Sequence, residues 1–240
     1  MSLNEFIRKK RDEQSPNLEE LPVEQGFMRF FIVLQVHFWE LVTLNLLLLA
    51  FSIPVITIPA ALCATNRSLF KMISKGDCFS FSDFFTEFKI SFVRSLPFGA
   101  LHALLLFNGI VAFMFGITEH GVNVPFTVLA IFISGSTIVF FSYVYVFIPA
   151  LTLNNKQVAG NAFIFALTQW KTNLVIIIGS VAMIVAMVAI SAFSVLLALV
   201  PLVLISFSFN QLVICTAVYK PMRKRIIDPY ESESMSDMDK

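Results

Sequence analysis

Four stretches of the chain are apolar almost without interruption: Leu41 to Ile58, Leu96 to Ile117, Phe126 to Ile148, and the block Leu174 to Tyr219. None alternates with the period of two that a membrane barrel strand shows, and each is close to or beyond the roughly 20 residues that cross a hydrocarbon core of about 30 Å. Backbone amides in lipid must be satisfied internally, so these runs predict transmembrane helices. The last block would be about 70 Å long as one helix, more than twice the hydrocarbon thickness. It is expected to turn near Ser191 to Leu197, with Pro201 in the first turn of the next helix, where a missing amide hydrogen costs little. With an amphipathic approach from Phe27, the pattern describes an all-α polytopic membrane helical bundle of about five transmembrane helices.

The polar interruptions predict what joins the spans. Pro54 lacks an amide hydrogen and should end the first helix, while Pro59 suits the first turn of another, with Thr57 near its cap. Ala60 to Ile73 keeps helical spacing but carries Asn66, Arg67 and Lys71. It is expected to run along, or shallowly back into, one membrane face. In FSFSDFFTEFKISF, Phe81, Phe84, Phe85, Phe88 and Phe92 recur at steps of three and four, with Ser82, Asp83, Thr86, Glu87 and Lys89 opposite. That predicts an interfacial amphipathic helix over Phe79 to Phe92, with Glu87 at water. FTEFKISF (Phe85 to Phe92) also aligns with LTQWKTNL (Leu167 to Leu174), and each follows a span ending in proline, which reads either as a parallel pseudo-repeat or as coincidence.

Composition agrees with the pattern. The chain is 57% hydrophobic and 14% charged, with 27 phenylalanines, whereas soluble domains carry roughly a quarter charged residues. Residues 1–26 read as a polar N-terminal tail without the apolar core of a secretory signal, 27–219 as the membrane helical domain, and 220–240 as a basic flank followed by an acidic, serine-bearing tail with too little apolar surface to order itself. Cys63, Cys78 and Cys215 show no metal-ligand spacing. Lysine and arginine gather between the first two spans (Arg67, Lys71, Lys75, Lys89, Arg94), at Lys156 and Lys171, and at Lys220 to Arg225. By the positive-inside rule this puts the C-terminus in the cytoplasm and, with five crossings, the N-terminus outside. The RKKR run at Arg8 to Arg11 runs against that side, and a sixth crossing would reverse it.

The order Glu40, Asn45, Pro54-Val-Ile-Thr57, then a basic segment and a phenylalanine-rich FF…FK helix resembles the YesL-like family of bacterial membrane proteins. That family carries an acidic residue, then NLLW and PIVTIG; Pro59 stands here where it usually has glycine. The resemblance is clear over Phe27 to Phe115 and rests on hydropathy elsewhere. It implies a small multi-pass protein of unestablished biochemistry, often encoded beside carbohydrate uptake systems of Gram-positive bacteria.

The chemistry on offer is sparse. HExxH, GxSxG, GxxxxGK[ST] and GxGxxG do not occur in the sequence, so no catalytic residue, cofactor or metal is expected, the protein is not read as an enzyme, and no nucleic acid is implied. Polar groups at membrane depth are costly and therefore the functional candidates. These are Glu40, Asn45, His102, Asn108, Asn210 and Gln211, with Pro54, Thr57 and Arg67 as candidate structural positions. Glu40 reads either as buried or as interfacial beside His37. Asn45 is expected to tolerate leucine, because an interhelical hydrogen bond in a membrane averages only about 0.6 kcal/mol. Gly135, in SGST, is expected to mark a helix contact. Two readings follow. One is an accessory component in the lipid bilayer, associated with a carbohydrate transporter subunit or with itself; the other is a small-solute carrier or channel.

Overall fold

The computed structural model describes residues 26–75, 79–118, 121–194 and 199–227. The two tails, Cys78 and His120 lie outside them. The described chain is helical apart from a two-residue antiparallel hairpin. Its elements are α1 (Gly26–Val36), α2 (Phe38–Ser52), a 3₁₀ turn (Val55–Thr57), α3 (Ile58–Lys75), α4 (Phe81–Gly116), the strands Ile117–Thr118 and Gly121–Val122, α5 (Val124–Ala150), α6 (Asn155–Thr168), α7 (Trp170–Phe193) and α8 (Leu199–Ile227).

Among the described residues α4, α5, α7 and α8 are each long and apolar enough to cross a membrane. A fifth span exists if α1 and α2, bent by 88° at His37, count as one. Alone, the 15 residues of α2 reach about 22 Å, short of the hydrocarbon thickness. At the bend His37 is buried and its Nδ1 contacts Glu40, so the carboxylate of Glu40 has a partner at the start of α2. Trp39 beside it is exposed, as an aromatic at a membrane boundary is. The prolines act as expected: α2 ends at Ser52 before Pro54, and Pro59 lies in the first turn of α3. Thr57 does not cap α3. Its hydroxyl donates backwards to the carbonyls of Phe51 and Pro54, closing the end of α2. α7 ends at Phe193 and α8 starts at Leu199, with Pro201 in its first turn.

One expectation for the connecting segments fails. Phe79 to Phe92 is not a separate interfacial helix, because it runs without a break into the second span as α4, a helix of 36 residues and about 54 Å. Its buried stripe is Phe84, Glu87, Ser91, Ser95 and Phe98, so Glu87 faces the protein, where it accepts from Ser91 Oγ. The phenylalanines still pack: Phe51 on α2 touches Phe84, Phe85 and Phe88. α3 is not an exposed surface helix but is packed within the bundle. From Pro59 to Phe70 every residue except Leu62 is buried. α3 runs antiparallel to the first half of α4, with Pro59 against Gly99 at one end and the Lys71–Asp83 ion pair at the other. A Cβ on Gly99 would stand 2.2 Å from Pro59 Cγ, so only glycine permits this approach. The second half of α4 packs on the first half of α5, where Gly109 meets Ser134 and Gly116 meets Thr127. Gly135 touches nothing there; Ser134 makes the contact expected of it. The aligned octapeptides also occupy unlike places, one inside continuous α4 and the other across the break between α6 and α7.

Asn45, fully buried on α2, reaches the opposite end of the chain. Its side-chain nitrogen donates to the carbonyls of Leu202 (3.0 Å) and Val203 (2.6 Å), and its oxygen accepts from the amides of Phe207 (2.9 Å) and Ser208 (3.0 Å). These are the i and i+5 members of two successive pairs around the π-helical segment Leu202–Ser206 of α8. A π turn forms where something enters the helical ladder, and here one carboxamide does so. Four bonds to one side chain reverse the expectation that leucine is tolerated. Asn45→Leu should lower stability in mild detergent by about 2 to 4 kcal/mol, since each unsatisfied buried group costs about 1 to 3 kcal/mol and part of the ladder can re-pair. Asn108→Leu, which removes only a bond to Leu104 of its own helix, should leave thermal stability unchanged. Equal melting temperatures for the two variants would show that the inserted amide does not organise α8.

Candidate functional site: a polar seam and cavity among the spans

Proline at the end of a membrane helix leaves backbone groups that lipid cannot satisfy. Pro149 has no amide hydrogen for the carbonyl of Tyr145, four residues earlier. Asn66 Nδ2 on α3 donates to that carbonyl at 3.1 Å. Next to it, Arg67 donates to the carbonyl of Pro149 at 3.1 Å, one of the terminal carbonyls of α5. Arg94 on α4 donates to the carbonyl of Leu153 in the following connection. Two of the polar residues that made α3 look unfit for lipid, Asn66 and Arg67, are thus donors to the end of α5. Cys215 Sγ on α8 lies 3.4 Å from Asn66 Oδ1 and extends the seam to the last helix.

Tyr145 joins the seam to a cavity. While its carbonyl is held by Asn66, its hydroxyl meets His102 Nδ1 at 3.0 Å, and the imidazole of His102 stacks on Phe141 at 4.3 Å with the planes 7° apart. These groups face a cavity of about 220 Å³ between α3, α4, α5, α7 and α8, to which Ser142, Ser180, Asn210 and Gln211 add polar side chains. Ser180 Oγ on α7 donates to Asn210 Oδ1 on α8 at 3.2 Å. No Lys, Arg, Asp or Glu is among the described residues lining it. The site therefore offers neutral donors and acceptors together with two aromatic rings. Among the described residues no three His, Cys, Asp or Glu side chains are grouped to hold a metal.

Of the positions singled out in the sequence, His102, Asn210 and Gln211 meet in this cavity. Arg67 serves the adjoining seam, Asn45 braces α8, Glu40 pairs with His37, and Pro54 with Thr57 ends α2. Asn108 does not join them, being exposed on α4 and bonded to its own helix. Four contributors were not singled out: Tyr145, Asn66, Ser142 and Ser180. Only Tyr145 carried a usable signal, its position four residues before a proline. Ser134 to Thr137 are not part of the cavity. Gly135 and Ser136 line instead a separate apolar groove of about 650 Å³, with Leu105, Phe132 and Phe163.

Comparison with known proteins adds one match. Residues 41–113 match the family described as "Protein of unknown function, DUF624". The matched stretch covers α2 from Leu41 onward, α3 and nearly all of α4, so it contains Asn45, Asn66, Arg67, Arg94 and His102 but not Glu40. No curated protein and no solved structure matches the chain.

The pairing of Asn66 with Tyr145 predicts a thermodynamic coupling. Asn66→Leu should cost about 1 to 3 kcal/mol by stranding a buried carbonyl. In a Pro149→Ala background the restored amide hydrogen can serve Tyr145, and the same replacement should cost at least 1 kcal/mol less. Additive thermal denaturation across this cycle would separate Asn66 from the proline.

Proposed function

We propose that this is a cell-membrane protein that binds a small uncharged hydroxylated solute, of carbohydrate type, between its spans and works beside a carbohydrate uptake system. The observation that carries this is the convergence of His102, Asn210 and Gln211, from α4 and α8, with Tyr145, Ser142 and Ser180 on one cavity. Polar side chains at membrane depth are costly, and the gathering of six of them around one cavity supports a ligand. Amide, imidazole and hydroxyl groups match the donors and acceptors of sugar hydroxyls. The resemblance to the YesL-like family supports the carbohydrate class and the neighbouring transporter. In this reading the protein performs no covalent chemistry of its own.

Two modes of action fit such a site. In one the protein is an accessory component, giving a bound solute to a transporter subunit or sensing it; in the other it is itself the carrier. Binding of radiolabelled monosaccharides to the purified protein tests the site. His102→Ala and Gln211→Ala should each weaken binding about five- to tenfold, as loss of roughly one 1 kcal/mol hydrogen bond does. Flux into liposomes holding only this protein marks a carrier, whereas binding without flux and co-purification with a transporter mark the accessory. Absence of binding across neutral mono- and disaccharides would overturn the reading.

The same proposal places the C-terminus in the cytoplasm. Supporting it, the basic residues Lys71, Arg94 and Arg225 gather at the end of the bundle opposite the Ile117–Val122 hairpin, through their contacts with Asp83, Leu153 and Thr168. In a Cys78→Ser background, with Cys63 and Cys215 buried, a cysteine at Asn123 should react with a membrane-impermeant thiol reagent in intact cells. Labelling at Ser236 in its place would invert the topology.

A further inference from the structure

A second concavity, of about 540 Å³, lies between α7 and α8 and is closed on one side by Phe30 of α1. Its two ends differ in chemistry. α7 and α8 run antiparallel and meet closely where Gly179 faces Val213; a Cβ on Gly179 would stand 2.9 Å from Val213 Cγ1. From that contact Lys171 is eight residues back along α7 and Lys220 seven residues on along α8, about 12 and 10 Å by helical rise. The two ammonium-bearing residues thus reach the same end of the groove. Val175, Ile178, Phe209 and Val213 supply apolar walls behind them.

Three further features identify that end. α7 begins there, at Trp170, and its first turn has no side-chain cap, so its free amides and the positive end of its dipole add to the two lysines. Trp170 is exposed, with Lys171 Nζ 5.6 Å from its ring, an aromatic and basic pairing typical of a membrane boundary. Among the described residues neither lysine pairs with a carboxylate, whereas Lys71 does. Arg225, close by, is taken up by Thr168.

We propose that this groove binds an anionic phospholipid, its phosphate between Lys171 and Lys220 and one acyl chain along the α7–α8 seam. Charge complementarity selects the headgroup: two unpaired cations and a helix N-terminus at one end of an otherwise apolar trough match a singly charged phosphodiester with hydrocarbon attached. The site is separate from the cavity at His102 and does not depend on what that cavity binds.

The test uses the full chain in mild detergent, with lipid binding read by native mass spectrometry and thermal stability. Phosphatidylglycerol should remain bound and raise the melting temperature, and phosphatidylcholine of the same chains should do neither. Each lysine near an anionic headgroup is worth roughly fivefold in affinity, so Lys171→Gln with Lys220→Gln should weaken retention by about an order of magnitude or more. Lys156→Gln, on α6 and away from the groove, should not. Four outcomes would overturn the proposal. These are equal binding of the two lipids, an unaffected double variant, equal loss in Lys156→Gln, or the full thermal shift with inorganic phosphate alone, which would mark an anion site without a lipid chain.

Discussion

The arrangement of this protein depends on one constraint: every backbone carbonyl and amide among its spans must find a partner inside the protein. Two of the places where the regular helical ladder is broken are met by side chains from distant helices. Pro149 deprives the carbonyl of Tyr145 of its usual donor near the end of α5, and the π-helical segment of α8 shifts the ladder out of step. Both are repaired by asparagine, Asn66 on α3 in the first case and Asn45 on α2 in the second. An asparagine side chain is a primary amide of the same polarity as the backbone, so it can occupy the position of a missing peptide group.

This explains why so polar a helix as α3 sits where an apolar one might be expected. Its Asn66 and Arg67 are buried because the carbonyls they serve are buried. Asn45, Asn66, Arg67 and Arg94 all lie within the stretch that matches the family of unknown function, and they donate to the carbonyls of Leu202, Val203, Tyr145, Pro149 and Leu153, which lie after it. The first half of the membrane domain thereby acts as a template on which α5 and α8 complete their backbone bonding. The cavity at His102 is a consequence of the same geometry. Asn66 holds the backbone of Tyr145, which fixes where the phenol hydroxyl stands beside His102.

The length of α4 follows from packing on two unlike partners. Its first half covers α3, with a buried stripe of Glu87, Ser91 and Ser95, and its second half meets α5 through Gly109 and Gly116. At about 54 Å, α4 is longer than the hydrocarbon core is thick. The phenylalanines that resemble a membrane-surface stripe are partly consumed by Phe51 of α2, which is how a segment patterned for an interface becomes part of a continuous helix.

What the sequence by itself determined was local. Apolar run length set the helices, Pro54, Pro59 and Pro201 set where three of their ends fall, and the cost of polarity in lipid picked out Asn45, His102, Asn210 and Gln211. Tertiary structure decided the rest. A period of three and four marks which residues share a face but not what covers that face, so Glu87 looked solvent-facing and is buried, and α3 looked peripheral and is central. Equally, an asparagine reads the same whether it is exposed and bonded to its own helix, as Asn108 is, or inserted into another helix, as Asn45 is. The distinction rests on partners more than 150 residues away for Asn45, and contacts at that separation leave no periodic trace in a single chain.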